Sequence, residues 1–115
     1  MTDLWTPDGD EARLLMALAG LEAHSEHPIG HAICAEAARR DLPATRVEDV
    51  RSDPSEGIRG RDAQGALWAG NARMAARMGA DIGGAALAAL AVDARTLVYA
   101  GRGDRLLGAV TVADR

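Results

Sequence analysis

The sequence predicts an α+β fold in which helices flank a mainly antiparallel sheet. Two segments with apolar residues three and four positions apart come early in the chain, which is typical of amphipathic helices. Short β-branched segments separated by glycine-containing turns follow them, which indicates strands joined by hairpins. No internal repeat or low-complexity tract interrupts the 115 residues, of which 48% are apolar. We therefore expect residues 1–115 to form a single domain with one ordinary core.

The first two predicted elements are helices. Asp8–Ala23 carries leucines at helical spacing, and its acidic start suits the positive end of a helix dipole. Pro28 then stands where proline is favoured, at the first position of a second helix that runs to roughly Arg40. The short segment between them therefore joins two helices.

The rest of the chain predicts strands, interrupted by two shorter helices. Thr45–Arg51 mixes β-branched and charged residues, and Gly57–Gly70 divides into two short strands at Ala63-Gln64-Gly65. Thr96–Ala100 and Leu106–Val112 flank a Gly-Arg-Gly-Asp turn and predict a second hairpin.

The two shorter helices lie between these hairpins. Asn71–Met78 is predicted to begin with Asn71 as its cap, and Ala85–Val92 to follow after three glycines. The predicted order is therefore two helices, three strands, two helices and a final hairpin.

Composition excludes several classes of function. Seventeen acidic residues against 13 basic ones give a net charge of −4, which argues against nucleic acid or anionic lipid as a partner. The basic residues are all arginine, so a Walker lysine and a lysine Schiff base are both excluded. Only one cysteine is present, so no internal disulfide forms, and no apolar run is long enough to cross a bilayer.

All three histidines and the single cysteine lie close together in the sequence. His24, His27, His31 and Cys34 fall within eleven residues, and His31 and Cys34 would share one face of the second helix. A small metal-binding or metal-sensing module is one interpretation. The alternative is that His27-Pro28 caps a helix and that the others are ordinary helix residues.

A glycine-rich stretch is the second group of candidate residues. Asp53-Pro54-Ser55-Glu56-Gly57-Ile58-Arg59-Gly60 is followed, after the predicted hairpin, by Gly70-Asn71. Glycines let a backbone approach a flat ligand closely. Taken alone, glycines at strand ends are also typical of turns.

Together, the two groups resemble the nucleotide-binding (N) domain of heavy-metal-transporting P-type ATPases, the copper, zinc, cadmium and cobalt pumps. The resemblance rests on Ser25-Glu26-His27-Pro28 with Glu22 before it, the Gly57-Ile58 strand, and Gly70-Asn71. It covers essentially the whole chain, because Leu107–Asp114 is similar to the closing strand of these domains. It implies an adenine and ribose site formed by the following residues: Glu22, His27, Gly57, Ile58, Gly70 and Asn71.

The chemistry of these residue types agrees with that implied site. The Glu22 carboxylate accepts hydrogen bonds and suits the amino group of adenine, while His27 has a ring nitrogen and a flat face for the base. Gly57 and Ile58 would supply close backbone and an apolar wall, and Asn71 would bond the ribose or a loop. Since His27 is expected to contact the base and not the core, its replacement should leave the fold intact.

The resemblance also implies a wider role. The chain would be the ATP-binding domain of an ATP-driven metal-ion translocase, on the cytoplasmic side of the membrane and without direct membrane contact. Its partners would be ATP or ADP and the phosphorylation and actuator domains of the same parent chain, where Mg-ATP reacts. No residue here is expected to be catalytic or to hold a resident metal, since the phosphorylation motif is absent. A metal-binding module and a purely structural scaffold remain the alternative functions.

One departure from the family pattern concerns the glycine loop. The family usually carries Gly-x-Gly there, whereas this chain has Ser55-Glu56-Gly57. Ser55 replaces the first glycine, and Glu56 adds a negative charge close to where a polyanionic ligand is expected.

Overall fold

The computed structural model describes residues 3–92 and 96–112. In chain order the elements are β1 (Asp3–Trp5), α1 (Glu11–Glu22), α2 (Pro28–Arg39), β2 (Glu48–Asp53), β3 (Gly57–Asp62), β4 (Gly65–Gly70), α3 (Ala72–Arg77), α4 (Ala85–Val92), β5 (Thr96–Arg102) and β6 (Arg105–Val112). No helix in this described part has the length and apolar character needed to cross a bilayer.

The six strands form one sheet in the order β1-β6-β5-β4-β3-β2. Every neighbouring pair is antiparallel. The predicted fold class, an antiparallel sheet flanked by helices, is therefore confirmed.

Helices pack on both faces of the sheet. Because successive side chains of a strand point to opposite faces, one strand contributes residues to the cores on both sides. Leu67 and Ala69 of β4 belong to the same buried cluster as three leucines of α1, Leu14, Leu18 and Leu21. Trp68, between them, belongs to a second cluster with Met74 of α3 and Leu87 of α4. The sheet is thus the middle of three layers, with α1 and α2 on one side and α3 and α4 on the other.

Helix and turn chemistry explains where the predicted elements begin and end. Asp10 caps α1 by accepting a hydrogen bond from the Arg13 backbone N–H, at 3.0 Å. Asn71 caps α3 as predicted. The β3–β4 turn occupies Ala63 and Gln64, and Gly65 follows it at a φ of 128°, which is disfavoured for residues with a side chain.

Two strand predictions need correction. Strand β2 begins at Glu48 and not at Thr45, because the Thr45 N–H donates to the Met16 carbonyl of α1, at 3.0 Å, which holds this residue against the helix. Strand β1 was not predicted at all: its three residues pair with β6 at the sheet edge and are too few to show a period. Of the closing strand suggested by the family resemblance, residues 113 and 114 lie outside the described part.

Candidate functional site

The α1–α2 connection is a tight, hydrogen-bonded turn. The Ser25 N–H donates to the carbonyl of Glu22, the last residue of α1, at 2.9 Å, and the Ser25 hydroxyl accepts from the His27 N–H at 3.1 Å. His27 Nδ1 accepts from the Ile29 N–H at 3.1 Å, so His27 is the N-cap of α2. The interpretation of His27-Pro28 as a helix cap is thereby confirmed.

The cap also sets the tautomer of the His27 ring. A nitrogen that accepts a hydrogen bond carries no proton, so in the neutral ring the proton is on Nε2. The side chain is exposed, which leaves Nε2–H available as a donor to a ligand. His27 therefore combines a structural role at Nδ1 with a donor at Nε2.

Gly30 lets the Glu22 carboxylate lie over the first turn of α2. A Cβ at Gly30 would stand 2.5 Å from Glu22 Oε2 and 2.8 Å from the Ser25 hydroxyl, closer than real contacts allow. Gly30 was not selected from the sequence, and Ser25 was noted there only as part of the Ser-Glu-His-Pro motif. The available signal was a glycine inside a helix, where it is less favourable than alanine by roughly 0.5–1 kcal/mol and so needs a reason.

Gly57 and Gly70 stand opposite each other on neighbouring strands β3 and β4. A Cβ on Gly57 would collide with the carbonyl of Ala69, and one on Gly70 with the carbonyl of Glu56. Both glycines are thus required by the protein's own backbone packing, whatever ligand approaches them. Next to Gly57, Ile58 is half-buried and packs against the α1 side of the core.

Asn71 holds the glycine loop to α3. Its Oδ1 accepts from the Met74 N–H at 3.0 Å, its Nδ2 donates to the Ser55 carbonyl at 2.7 Å, and its own N–H donates to the Glu56 carbonyl at 2.9 Å. Of the two predicted partners for this side chain, ribose or a loop, the structure shows the loop.

A cleft of about 490 Å³ lies between the start of α2 and the ends of β3, β4 and β5. The six residues singled out from the sequence all line it: Glu22, His27, Gly57, Ile58, Gly70 and Asn71. Its walls also include Ile29, Gly30 and the first residues of β5, Thr96–Val98, which the sequence analysis did not select. A volume of this size suits a small organic ligand.

No protein-family model matches the sequence, but known proteins resemble it in sequence and in fold. A copper-transporting P-type ATPase of Rhizobium leguminosarum bv. viciae is 38% identical over 110 residues, which is 91% of this chain. Copper-exporting P-type ATPase B of Archaeoglobus fulgidus is 43% identical over 60 residues, 52% of this chain.

Among solved structures, the N-domain of the copper-transporting P-type ATPase HMA6 aligns with a TM-score of 0.78 and 28% identity. The alignment covers 96% of this chain and 94% of that domain. The chain belongs to the N-domains of heavy-metal-transporting P-type ATPases. The N-domain of HMA8, at 20% identity and a TM-score of 0.80, shares the fold over 97% of this chain and 98% of its own length.

This N-domain is short beside its curated relatives. It spans 13% of the Rhizobium leguminosarum protein and 9% of the Archaeoglobus fulgidus protein. It aligns instead with nearly the whole length of the isolated HMA6 and HMA8 domains.

The structure shows how Ser55 and Glu56 are placed in the loop where this N-domain departs from the family pattern. Ser55 has a φ of 64°, in the left-handed region that glycine adopts without the steric cost that a side chain brings. The Glu56 carboxylate is bonded to the guanidinium of Arg77, with 2.8 Å between Oε1 and Nε. The expected extra negative charge is therefore ion-paired, a correction that the sequence offered no way to foresee.

Among the described residues, the histidines and the cysteine are not gathered into a group of metal ligands. Residues 3–92 and 96–112 contain no group of three or more His, Cys, Asp or Glu side chains that could hold a metal ion. The Cys34 sulfur contacts the Ala19 carbonyl of α1, at 3.9 Å, and burial, with the nearby Glu22 charge, raises the pKa of its thiol. The metal-module interpretation thus finds no support in the geometry.

Proposed function

We propose that this N-domain binds ATP by its adenine end and presents the γ-phosphate to the phosphorylation domain of a parent metal pump. The observation that carries the proposal is the convergence on one cleft of three separate chain segments, beside the β5 residues Thr96–Val98. These segments are Glu22–Gly30, Ser52–Ile58 and Ala69–Asn71. The same segments contain the residues by which the sequence resembles the family.

The charges around the cleft favour the base end of the nucleotide over the phosphates. The described residues that line the cleft include three carboxylates, Glu22, Asp53 and Glu56, and no arginine. Arginines line instead a separate groove of about 400 Å³, together with Asp49. A cleft without free cations suits a neutral nucleobase and ribose, and leaves the triphosphate to project outward.

The polar groups at the α1–α2 turn are complementary to adenine. Adenine presents an amino donor beside a ring-nitrogen acceptor. Glu22 offers a carboxylate acceptor, and His27 offers Nε2–H as a donor. Guanine carries a carbonyl where adenine has its amino group, so it would meet the Glu22 carboxylate with like polarity.

The remaining parts of the reaction belong to the rest of the parent chain. The phosphorylation and actuator domains, Mg-ATP and the transported metal come with the proposal that the chain is a piece of such a pump, placed on the cytoplasmic side of the membrane. Its relatives are named as copper-transporting and cobalt/nickel-exporting ATPases. Because the chain contains no lysine and no phosphorylation motif, it binds nucleotide but does not turn it over alone.

Isothermal titration with ATP, ADP, adenosine and GTP tests the proposal. We expect dissociation constants from tens of micromolar to millimolar, roughly −4 to −6 kcal/mol, because half of the phosphate contacts lie elsewhere. Mg²⁺ should change them little. Submicromolar affinity that depends on Mg²⁺ would show that phosphate contacts dominate and would contradict the pose.

Base selectivity supplies the second arm of this test. An unmet buried acceptor costs about 1–3 kcal/mol, so ATP should bind at least fivefold more tightly than GTP. Glu22→Gln offers guanine an amide donor and should reduce this preference. If GTP competes as well as ATP against the unsubstituted domain, Glu22 does not read the base.

A further inference from the structure

Arg77, on α3, contacts both of the carboxylates that border the cleft from the glycine loop. Its Nη2 lies 2.7 Å from Glu56 Oε1 and 3.0 Å from Asp53 Oδ2. The contacts span 21 and 24 positions of sequence, so they join α3 to a loop that is distant along the chain. Arg77 itself is not among the residues that line the cleft.

The same loop is fixed by further contacts to its neighbours. Asp53 also pairs with Arg59 of β3, at 2.7 Å, and the Ser55 carbonyl accepts from Arg73 of α3 at 3.2 Å. Burial alone would raise the pKa of Asp53, but hydrogen bonds from Arg59 and Arg77 hold it below its usual range. The Asp53 carboxylate therefore carries its charge beside the Arg77 guanidinium.

We infer that Arg77 is a positioning residue of the nucleotide site, which neutralises Glu56 and Asp53 and so allows an anionic ligand into a cleft bordered by carboxylates. The inference rests on the proposed function and adds a residue to it. Arg77 acts through the loop and does not touch the ligand. The guanidinium is suited to this role because its planar fork can reach two carboxylates at once.

Stability alone does not account for this cluster. The Arg77 side chain is 45% exposed and that of Glu56 27% exposed, and exposed ion pairs contribute little to the free energy of unfolding. Beside a ligand that carries several negative charges, the same pair removes a repulsion that grows with each phosphate. The larger expected effect of removing Arg77 is therefore on how binding depends on the charge of the ligand.

Arg77→Gln tests the inference through the ratio of the ATP and adenosine dissociation constants. We expect ATP to bind roughly three- to tenfold more weakly, ADP less so, and adenosine almost unchanged, with the differences shrinking as salt is raised. Arg73→Gln is the matched control, since it removes the same charge from the same helix, and the hydrogen bond that the structure describes for Arg73 goes to the Ser55 carbonyl and not to a carboxylate. It should lower ATP affinity by a smaller factor than Arg77→Gln.

A second substitution separates charge from loop geometry. Arg77→Gln combined with Glu56→Gln removes the unpaired carboxylate and should return the ATP-to-adenosine ratio to near its original value. Arg77→Lys keeps the charge and replaces Arg77→Gln if that variant does not fold. It should weaken ATP in the same direction by a smaller factor.

The outcomes distinguish this inference from the proposed function. If the unsubstituted domain binds neither adenosine nor ATP, the proposed function fails. If it binds both and Arg77→Gln weakens them equally, or the double substitution restores nothing, Arg77 does not act by neutralising the loop and the inference is overturned. Equal losses in Arg73→Gln and Arg77→Gln would also overturn it, because a general loss of positive charge would then suffice.

Discussion

Substitution of His27 separates its two roles, because one ring nitrogen caps α2 and the other is left for the ligand. His27→Ala removes both, whereas His27→Asn keeps a side-chain acceptor suited to an N-cap and loses only the ring. The sequence-based expectation that replacing His27 leaves the fold untouched therefore needs refinement. Alanine at this position should weaken the domain as well as the site.

The magnitudes follow from the contacts. Loss of an N-cap costs about 0.5–2 kcal/mol of unfolding free energy, so His27→Ala should lower it by about 1 kcal/mol and His27→Asn by a few tenths at most. Both variants lose the Nε2–H donor and the ring face. Each should therefore weaken adenosine and ATP tenfold or more, which is about 1.4 kcal/mol.

Urea denaturation measures the first effect and calorimetric titration the second. His24→Asn and His31→Asn are matched controls, since both histidines are exposed in the same segment and neither lines the cleft. The reasoning is refuted if His27→Asn binds adenosine as tightly as the unsubstituted domain. It also fails if His27→Asn is as destabilised as His27→Ala, since the cap would then not explain the loss.

Two further predictions concern Ser55 in the glycine loop and Glu36 in helix α2. Ser55→Gly should raise the free energy of unfolding by up to about 1 kcal/mol. A non-glycine residue in the left-handed region costs about 1–2 kcal/mol, and the greater backbone entropy of glycine in the unfolded chain offsets part of the gain from removing that cost. An unchanged midpoint of urea denaturation would contradict backbone strain at Ser55. Hydrogen bonds from Arg39 and Arg40 lower the pKa of Glu36 from 4.5 to about 2. A lowered pKa stabilises the fold above pH 4.5, and this contribution is lost as the pH falls toward 2. Glu36→Gln should therefore make the free energy of unfolding depend less steeply on pH between these values. A pH dependence as steep as that of the unsubstituted domain would contradict the ion pair.

Much of the fold follows from local patterns in the chain. Helix α2 begins at Pro28 and α3 at the residue after Asn71, because proline at a first position and an asparagine cap depend only on neighbouring residues. Glycine at positive φ stands in the β5–β6 turn, at Gly103, and directly after the β3–β4 turn, at Gly65. Such signals are local, so a single sequence carries them.

Features that depend on distant contacts were not visible in the same way. The three residues of β1 form a strand only because β6 offers them an edge. The late start of β2 depends on a bond from Thr45 to α1. Nothing near Glu56 in the sequence indicates that Arg77 pairs with it, since only the fold brings α3 beside the loop.

In the candidate site, too, residues in local motifs could be predicted from the sequence, and residues that matter through distant contacts could not. Glu22, His27 and Asn71 were found because they sit in motifs that resemble the family, and the fold then brings them to one cleft. Gly30 has no chemistry of its own and matters through the room that it leaves for Glu22. The wall formed by β5 consists of Thr96, Leu97 and Val98, which local patterning cannot distinguish from ordinary strand residues.

Chemical-shift mapping of the ¹⁵N-labelled domain with adenosine tests the central claim most directly, because adenosine has no phosphates to bind elsewhere. We expect saturable chemical-shift changes concentrated at the α1–α2 turn around His27 and at Gly57 and Gly70. ATP should shift the resonances of the same residues. Shifts gathered in the arginine-lined groove around Arg51 and Arg61, with none at the α1–α2 turn, would contradict it.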